Sequence, residues 1–344
     1  VIQDYQLVTI TNLLMEQTKS NAGAFVNAAQ LQIDGGFENI ANNTAFELFN
    51  SGTATRGISA ATSSQTGGTP NTVTMYLTNP QSVVQFEVGQ TLVASATDGG
   101  APSTDTVQLT NVNRITGQLI GTASATTLSA NWAIGSGLAY LTVQGDLPAA
   151  GATSTGSFLA ISGLAAWIPF TSPATNDSFW GINRSTDPTR LAGLRFDASS
   201  YTIEEGVTNA LALANREGAK PDMLIMNFTS YAALVNALGA KVEYVQIEHD
   251  EVEVAFEGIR FHSAYGVVTV LADRSCPAMT GYLLTMDTWQ LRSLGKVPHI
   301  LSYGMEGLEG LRVGNADALE VRIGQYCNLI CSAPGRNMVI NLSA

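Results

Sequence analysis

Between Thr53 and Ala160 the chain carries only six charged residues, Arg56, Glu87, Asp98, Asp105, Arg114 and Asp146. So long a stretch with so little charge does not read as solvated helices, whose outer faces are normally charged. Its apolar residues come instead in short runs such as Val73-Thr74-Met75-Tyr76-Leu77 and Leu138-Ala139-Tyr140-Leu141-Thr142-Val143. Turn clusters separate them, Thr66-Gly67-Gly68-Thr69-Pro70-Asn71 and Asp98-Gly99-Gly100-Ala101-Pro102. Strand-and-turn spacing of this kind predicts a small β-barrel or sandwich. Helical segments lie on both sides, so residues 53–160 are read as a β-domain inserted into a host fold that folds independently and faces outward.

The host reads as α+β. A weakly amphipathic segment from Thr11 to Ile33, with Leu13, Leu14, Phe25 and Val26, precedes Asp34-Gly35-Gly36. A firmer helix follows, with Phe37, Ile40, Ala41, Ala45, Leu48 and Phe49 at helical spacing and Ser51-Gly52 as its stop. The host resumes at Trp167-Ile168-Pro169-Phe170. Thr202 and Glu205 then form a T-x-x-E capping box ahead of the apolar stripe Ile203, Val207, Ala210, Leu211 and Ala214, which Gly218 and Pro221 end. A buried strand, Met223 to Met226, leads into a helix with Tyr231, Leu234, Val235 and Leu238, stopped by Gly239. Strands are predicted at Val252–Phe256, Ile259–Phe261, Val267–Leu271, Tyr282–Met286, Leu319–Ile323 and Met338–Leu342.

Charge narrows the classes of function. Charged residues are 13% of the 344, about half the usual share, which suits a surface largely covered by neighbours. A net charge of −12 and only four lysines, Lys19, Lys220, Lys241 and Lys296, argue against a protein built to grip nucleic acid. No apolar run approaches the ~18 residues of a membrane span, and the first residues lack the basic-then-apolar pattern of a signal peptide. Cys276, Cys327 and Cys331 are too few for a disulfide scaffold and read as reduced, buried thiols.

Chemistry-bearing motifs do not emerge. There is no phosphate-binding glycine loop, no H-E-x-x-H helix and no G-x-S-x-G elbow. His249, His262 and His299 are scattered, so no catalytic residue, metal or cofactor is expected. Cys327 and Cys331, four apart on a strand, share a face and read as one core layer. The patch Glu248-His249-Asp250-Glu251-Val252-Glu253 is read as a solvated strand face, with a divalent-cation site as the alternative. The paired charges of Asn183 to Arg190 suggest a salt-bridged loop. With the aromatics beside it, Phe179, Trp180, Arg184, Asp187 and Arg190 are candidates either for a subunit contact or for ordinary surface.

Four segments between Trp167 and Leu342 resemble the major capsid proteins of tailed bacteriophages, the Hong Kong 97-like fold. They are Phe179-Trp180-Gly181-Ile182-Asn183-Arg184-Ser185 continuing through Asp187 to Gly193, and the helix from Thr202 running into Gly218-Ala219-Lys220-Pro221-Asp222. The third is Gly258-Ile259-Arg260-Phe261 with Ala272 to Pro277 and Tyr282-Leu283-Leu284. The last is Ala316 to Arg322, ending in Cys331-Ser332-Ala333-Pro334-Gly335-Arg336-Asn337. The resemblance implies an N-terminal arm (1–36), and an extended-loop and peripheral domain (37–52 and 161–218) whose spine helix is 202–217. It further implies an axial domain (219–310) and a return to the peripheral domain (311–344).

The implied function is a non-enzymatic subunit that self-assembles into pentamers and hexamers of an icosahedral shell around phage double-stranded DNA. Assembly in the bacterial host cytoplasm follows, as do scaffolding, portal and decoration proteins as partners, only weak DNA contact, and no membrane. A storage nanocompartment of the encapsulin type and a surface-binding β-domain protein, an adhesin or carbohydrate binder, are the alternatives. In one branch of this fold a hairpin lysine bonds covalently to an asparagine of a neighbour. Here no lysine lies between Lys19 and Lys220, so non-covalent joining is expected.

Overall fold

The structure, a computed structural model, describes residues 2–13, 22–67, 71–146, 160–239, 243–247, 256–263, 266–301, 310–314 and 316–342. It opens on a ten-residue strand, β1 (Ile2–Thr11), and a 26-residue helix, α1 (Ala22–Glu47). The helix expected after Asp34-Gly35-Gly36 begins upstream of these residues and runs through them. Packing explains why. A Cβ on Gly36 would meet Val8 Cγ2 at 2.6 Å and Ile323 Cδ1 at 2.8 Å, so the glycine lets the helix settle onto the strands beneath it at only a modest cost in helix propensity.

The weakly charged region forms seven strands, β2 (Gly57–Ser59), β3 (Ser64–Thr66), β4 (Thr72–Tyr76), β5 (Thr91–Ser95), β6 (Val107–Asn113), β7 (Gln118–Ala123) and β8 (Ala139–Val143). Their order is β2-β8-β5-β6-β7-β4-β3, every pairing is antiparallel, and none of these strands pairs outside the set. A bridge between Ser59 and Leu77 brings β2 back to the end of β4, closing the sheet on itself. Of the two predicted forms, this is the barrel. Closure removes the open edge that a flat sheet of this length would leave. Inside lie Met75, Phe86, Leu92, Leu109, Leu119, Trp132 and Leu141, a core that is separate from the other cores among the described residues.

Next come a two-stranded hairpin, β9 (Ser178–Phe179) and β10 (Ile182–Asn183), then β11 (Leu194–Asp197), α2 (Ile203–Arg216), β12 (Met223–Met226) and α3 (Phe228–Leu238). They are followed by β13 (Glu243–Ile247), β14 (Phe256–Ser263), β15 (Gly266–Ala272), β16 (Thr280–Leu284), β17 (Trp289–Ser293), β18 (His299–Ile300), β19 (Gly310–Arg312), β20 (Ala318–Cys331) and β21 (Met338–Asn341). The capping box at the start of α2 is present in both directions, and Ile203, Val207, Ala210, Leu211 and Ala214 are all buried.

A mixed sheet of order β11-β21-β16-β12-β15-β14-β13 receives α2 and α3. The domain boundaries expected at 218/219 and 310/311 cut through this unit. The stripe of α2 shares one core with Leu224, Leu234, Val270, Leu283, Met338 and Ile340, so the helix before the first boundary and the strand after the second belong to one layer pair. The longest helix among the described residues is α1, which packs through Ile40 onto Val8, Ile10, Val321 and Ile323. Beneath it β20, fourteen residues long, pairs with all of β1 on one side and with β17, β18 and β19 on the other.

Candidate functional site

The five residues singled out from the sequence fall on the β9–β10 hairpin and the two short helical turns after it. Phe179 pairs with Ile182, leaving a two-residue turn made of Trp180 and Gly181. Both have positive φ, +54° and +80°, the geometry of a type I′ turn whose twist matches the strands it joins. Gly181 adopts it without penalty. An aromatic residue at Trp180 does not, because its side chain crowds the backbone there, and such outliers concentrate where function demands them. Trp180 is 54% exposed and Ile182 is 55% exposed, with Phe170 also at the surface.

The base of the hairpin is rigid. Phe179 stands edge-on to Trp167 at 4.9 Å between ring centroids, and Trp180 stacks on the same indole at 6.0 Å. Trp167 is itself fastened by its Nε1–H to the carbonyl of Leu329 at 3.0 Å. The guanidinium of Arg184 lies 4.3 Å from the centre of the Phe179 ring, donates to Asp177 Oδ2 at 2.7 Å and to the carbonyl of Ala166 at 2.6 Å. Arg184 is only 8% exposed. It is a buried anchor, with its charge directed inside the molecule at Asp177 and at the aromatic face.

Asp187 caps the turn that follows. Its Oδ1 accepts from Thr189 Oγ1 at 2.8 Å and from the Arg190 N–H at 3.1 Å. These bonds, with the charge of Arg190, hold its carboxyl below the usual range. Arg190 itself is exposed. Of the five residues, Trp180 and Arg190 face solvent, while Phe179, Arg184 and Asp187 hold them in place. Sequence reading missed Asp177 and Ile182. Asp177 carries no signal until its chain neighbours fold back, whereas Ile182 is an apolar residue two positions from a tryptophan in a polar loop. The hairpin walls a cleft of about 550 Å³ that also touches Ile2, Ser51, Ser162 and Pro169.

Other expectations sort as follows. Cys327 and Cys331 are both buried on β20, and burial pushes the Cys327 thiol up to about 11. Among the described residues no group of three His, Cys, Asp or Glu is gathered as metal ligands would be. His299 directs Nδ1 at the carbonyl of Lys296 at 2.7 Å. The patch from Glu248 to Glu253 lies outside the described residues.

No protein-family model and no curated protein matches the sequence. Among solved structures, the chain is similar to the capsid asymmetric unit of cyanophage A-1(L), with 15% identity and a TM-score of 0.40 over 54% of this chain and 60% of that one. It is also similar to the capsid of an empty GTA particle, at 10% identity and TM-score 0.31 over 54% and 57%. A third is the holo-encapsulin complex from Synechococcus elongatus, at 13% identity and TM-score 0.30 over 43% and 53%. The chain thus spans about 60% of the length of the cyanophage chain it matches.

Proposed function

We propose that this chain is a capsid shell subunit of Hong Kong 97-like architecture, with residues 53–160 as an inserted β-domain, assembling into pentamers and hexamers around phage double-stranded DNA. The observation that carries the reading is the β9–β10 hairpin. A half-exposed tryptophan stacks on Trp167 at a strained turn, and a buried arginine and two aromatic rings hold that turn in place. An exposed aromatic on a rigid support is the kind of group that anchors a protein interface, and it lies in the first of the four segments that resemble phage capsid proteins. Low charge density suits a surface mostly covered by copies of itself. Trp180, with Ile182 and Arg190, is assigned to a subunit contact, and scaffolding, portal and decoration proteins are the further partners of this reading.

The test is negative-stain electron microscopy of the purified protein beside its Trp180→Asn and Ile182→Ser variants. Closed particles from the wild type, and isolated capsomers or monomers from the variants, support the reading. Particles filled with a second protein instead of nucleic acid would make it a storage compartment. Monomers alone at every concentration would overturn the shell reading altogether.

A further inference from the structure

The sheet β1-β20-β17 ends in two strands, and among the described residues neither has a strand on its outer side. On β1 the ladder fixes which backbone groups face outward. The N–H of Asn12 donates to the carbonyl of Asp317 at 3.0 Å. That bond continues the register that runs from Ile2 opposite Cys327 to Thr11 opposite Ala318, and it puts the even residues of β1 in the bonded rows. On the far side of β20 the carbonyls of Ala318, Arg322 and Tyr326 accept from Val313, Leu301 and Leu294, which leaves the odd residues of β20 to bond β1. The N–H groups of Gln3, Tyr5 and Leu7 therefore point away from the sheet. On β17, Leu294 donates to Tyr326 and Ser332 donates to Thr288, so Gln290 and Arg292 bond β20. The N–H groups of Leu291 and Ser293 point outward.

A cleft of about 340 Å³ runs along the β1 edge, with Gln3 through Leu7 on one wall and Gln144 through Asp146 on the other. The carboxyl groups of Asp4, Glu47 and Asp146 line it. Arg56, in the adjoining cleft, is already bonded to Asn43 and Asp146. The β17 edge has the opposite character. From Thr288 to Met305 the sequence holds Arg292 and Lys296 and no Asp or Glu. Gln290 through Ser293 are exposed, and Leu291 and Leu294 stand in solvent. Unpaired backbone groups at a sheet edge are a ready template for another chain, and here one sheet carries two such edges of unlike charge.

We propose that the β1 edge of one copy pairs with the β17 edge of the next, head to tail, so that the sheet β1-β20-β17 runs on from subunit to subunit. The carboxyl-lined groove receives the basic strand, and the exposed leucines of β17 gain cover. Like edges do not suit each other: two β1 edges bring carboxylates together, and two β17 edges bring Arg292 and Lys296 together. A contact between unlike patches closes into a ring when its rotation divides a full turn. The inference rests on the shell reading for that ring and names the strands that make it.

The test is sedimentation velocity on two variants of the full chain, Tyr5→Pro and Leu291→Pro, alone and mixed. Each proline removes an outward N–H that the single subunit does not use, so circular dichroism should show both folded. Neither assembles alone. Mixed in equal amounts they form a two-chain species and stop there, because one keeps its β17 edge and the other its β1 edge. Arg292→Glu leaves every backbone bond in place and should need roughly tenfold more protein to assemble at low salt, with the difference shrinking near about 1 M. Wild-type particles together with a proline variant that assembles or dimerises unaided, or with no pairing in the mixture, overturn the head-to-tail contact and leave the shell reading standing. Wild-type monomers at every concentration overturn both. Should a proline variant fail to fold, Arg292→Glu still decides it, since assembly at the wild-type concentration overturns the contact.

Discussion

Asn337 accepts the indole N–H of Trp289 on its Oδ1 at 2.9 Å. The same oxygen accepts the backbone N–H of Thr285 at 2.8 Å, and Nδ2 donates to Thr288 Oγ1 and to the carbonyl of Ala333. Asn337 is buried and lies at the turn between β20 and β21, where the chain leaves one sheet for the other.

Asn337→Leu keeps most of the volume but strands the Thr285 N–H and the Trp289 indole N–H away from water. The expected cost is about 3–5 kcal/mol, read from urea denaturation. Combined with Trp289→Phe, the loss should be smaller than the sum of the two, because the partner left wanting has been removed.

Two adjacent glycines of α1 should respond with opposite signs. A methyl group on Gly35 would have nothing within 4 Å, whereas one on Gly36 would abut Val8 and Ile323. Gly35→Ala is expected to stabilise by up to about 1 kcal/mol through helix propensity. Gly36→Ala should destabilise by about 1–3 kcal/mol through overpacking, and Val8→Ala in the same chain should recover part of the loss. Thermal melts of the two single variants and the double variant check this.

Stability should fall from mildly acid to mildly alkaline pH. Glu47 in the folded chain holds its proton to about 8, against 4.5 for the free group. Below the lower value both states are protonated and nothing is lost. Between the two the unfolded chain gives up its proton first, so stability declines across that window and levels off above it. The full swing is on the order of 5 kcal/mol. Denaturation midpoints at successive pH values should show the decline in the wild type and lose most of it in Glu47→Gln. Asp187 and Asp197 are held low by hydrogen bonds, and their contribution disappears only as the pH falls through the acid range.

Arg184 and Trp180 should separate folding from association. Arg184→Ala leaves Asp177 without its ion-pair partner and unseats Phe179, and is expected to cost about 3–5 kcal/mol of stability. Trp180→Asn places a residue favoured in type I′ turns at the strained position, so the monomer should hold or gain stability while assembly is lost. Sedimentation velocity beside a melting curve distinguishes the two.

Covalent joining of subunits through a lysine on the hairpin region has no nucleophile here. None of the residues between Lys19 and Lys220 is a lysine, and an arginine stays protonated. Boiled assemblies should run on a reducing gel as the 36.2 kDa chain. A ladder of larger bands would contradict this.

Local patterns in the sequence were legible where the structure is local. Thr202, Glu205 and the stripe behind them announced α2, and the low charge of residues 53–160, with its short strand runs, announced a β region, barrel or sandwich. What stayed hidden is long-range. The strand β1 was not foreseen, because Asp4 and Gln6 stand on the same inward face as Val8 and Ile10 and break the apolar period. They point inward to meet Asn43 and Asn39 of α1, a reason that exists only once the helix is docked. The role of Arg184 was hidden likewise. A charged residue in a polar loop reads as surface until Asp177, Ala166 and Phe179 close around it.

The barrel is fastened to its host through neighbouring strands, β2 and β8, with Gly57 opposite Leu141. Topologically its attachment is that of a hairpin loop, since its two ends stand about one strand spacing apart. A chain built this way can be redecorated. If residues 53–160 are an insert, as proposed, this geometry suits exchange of residues 57–143 for another module whose own termini lie side by side, or for a plain turn.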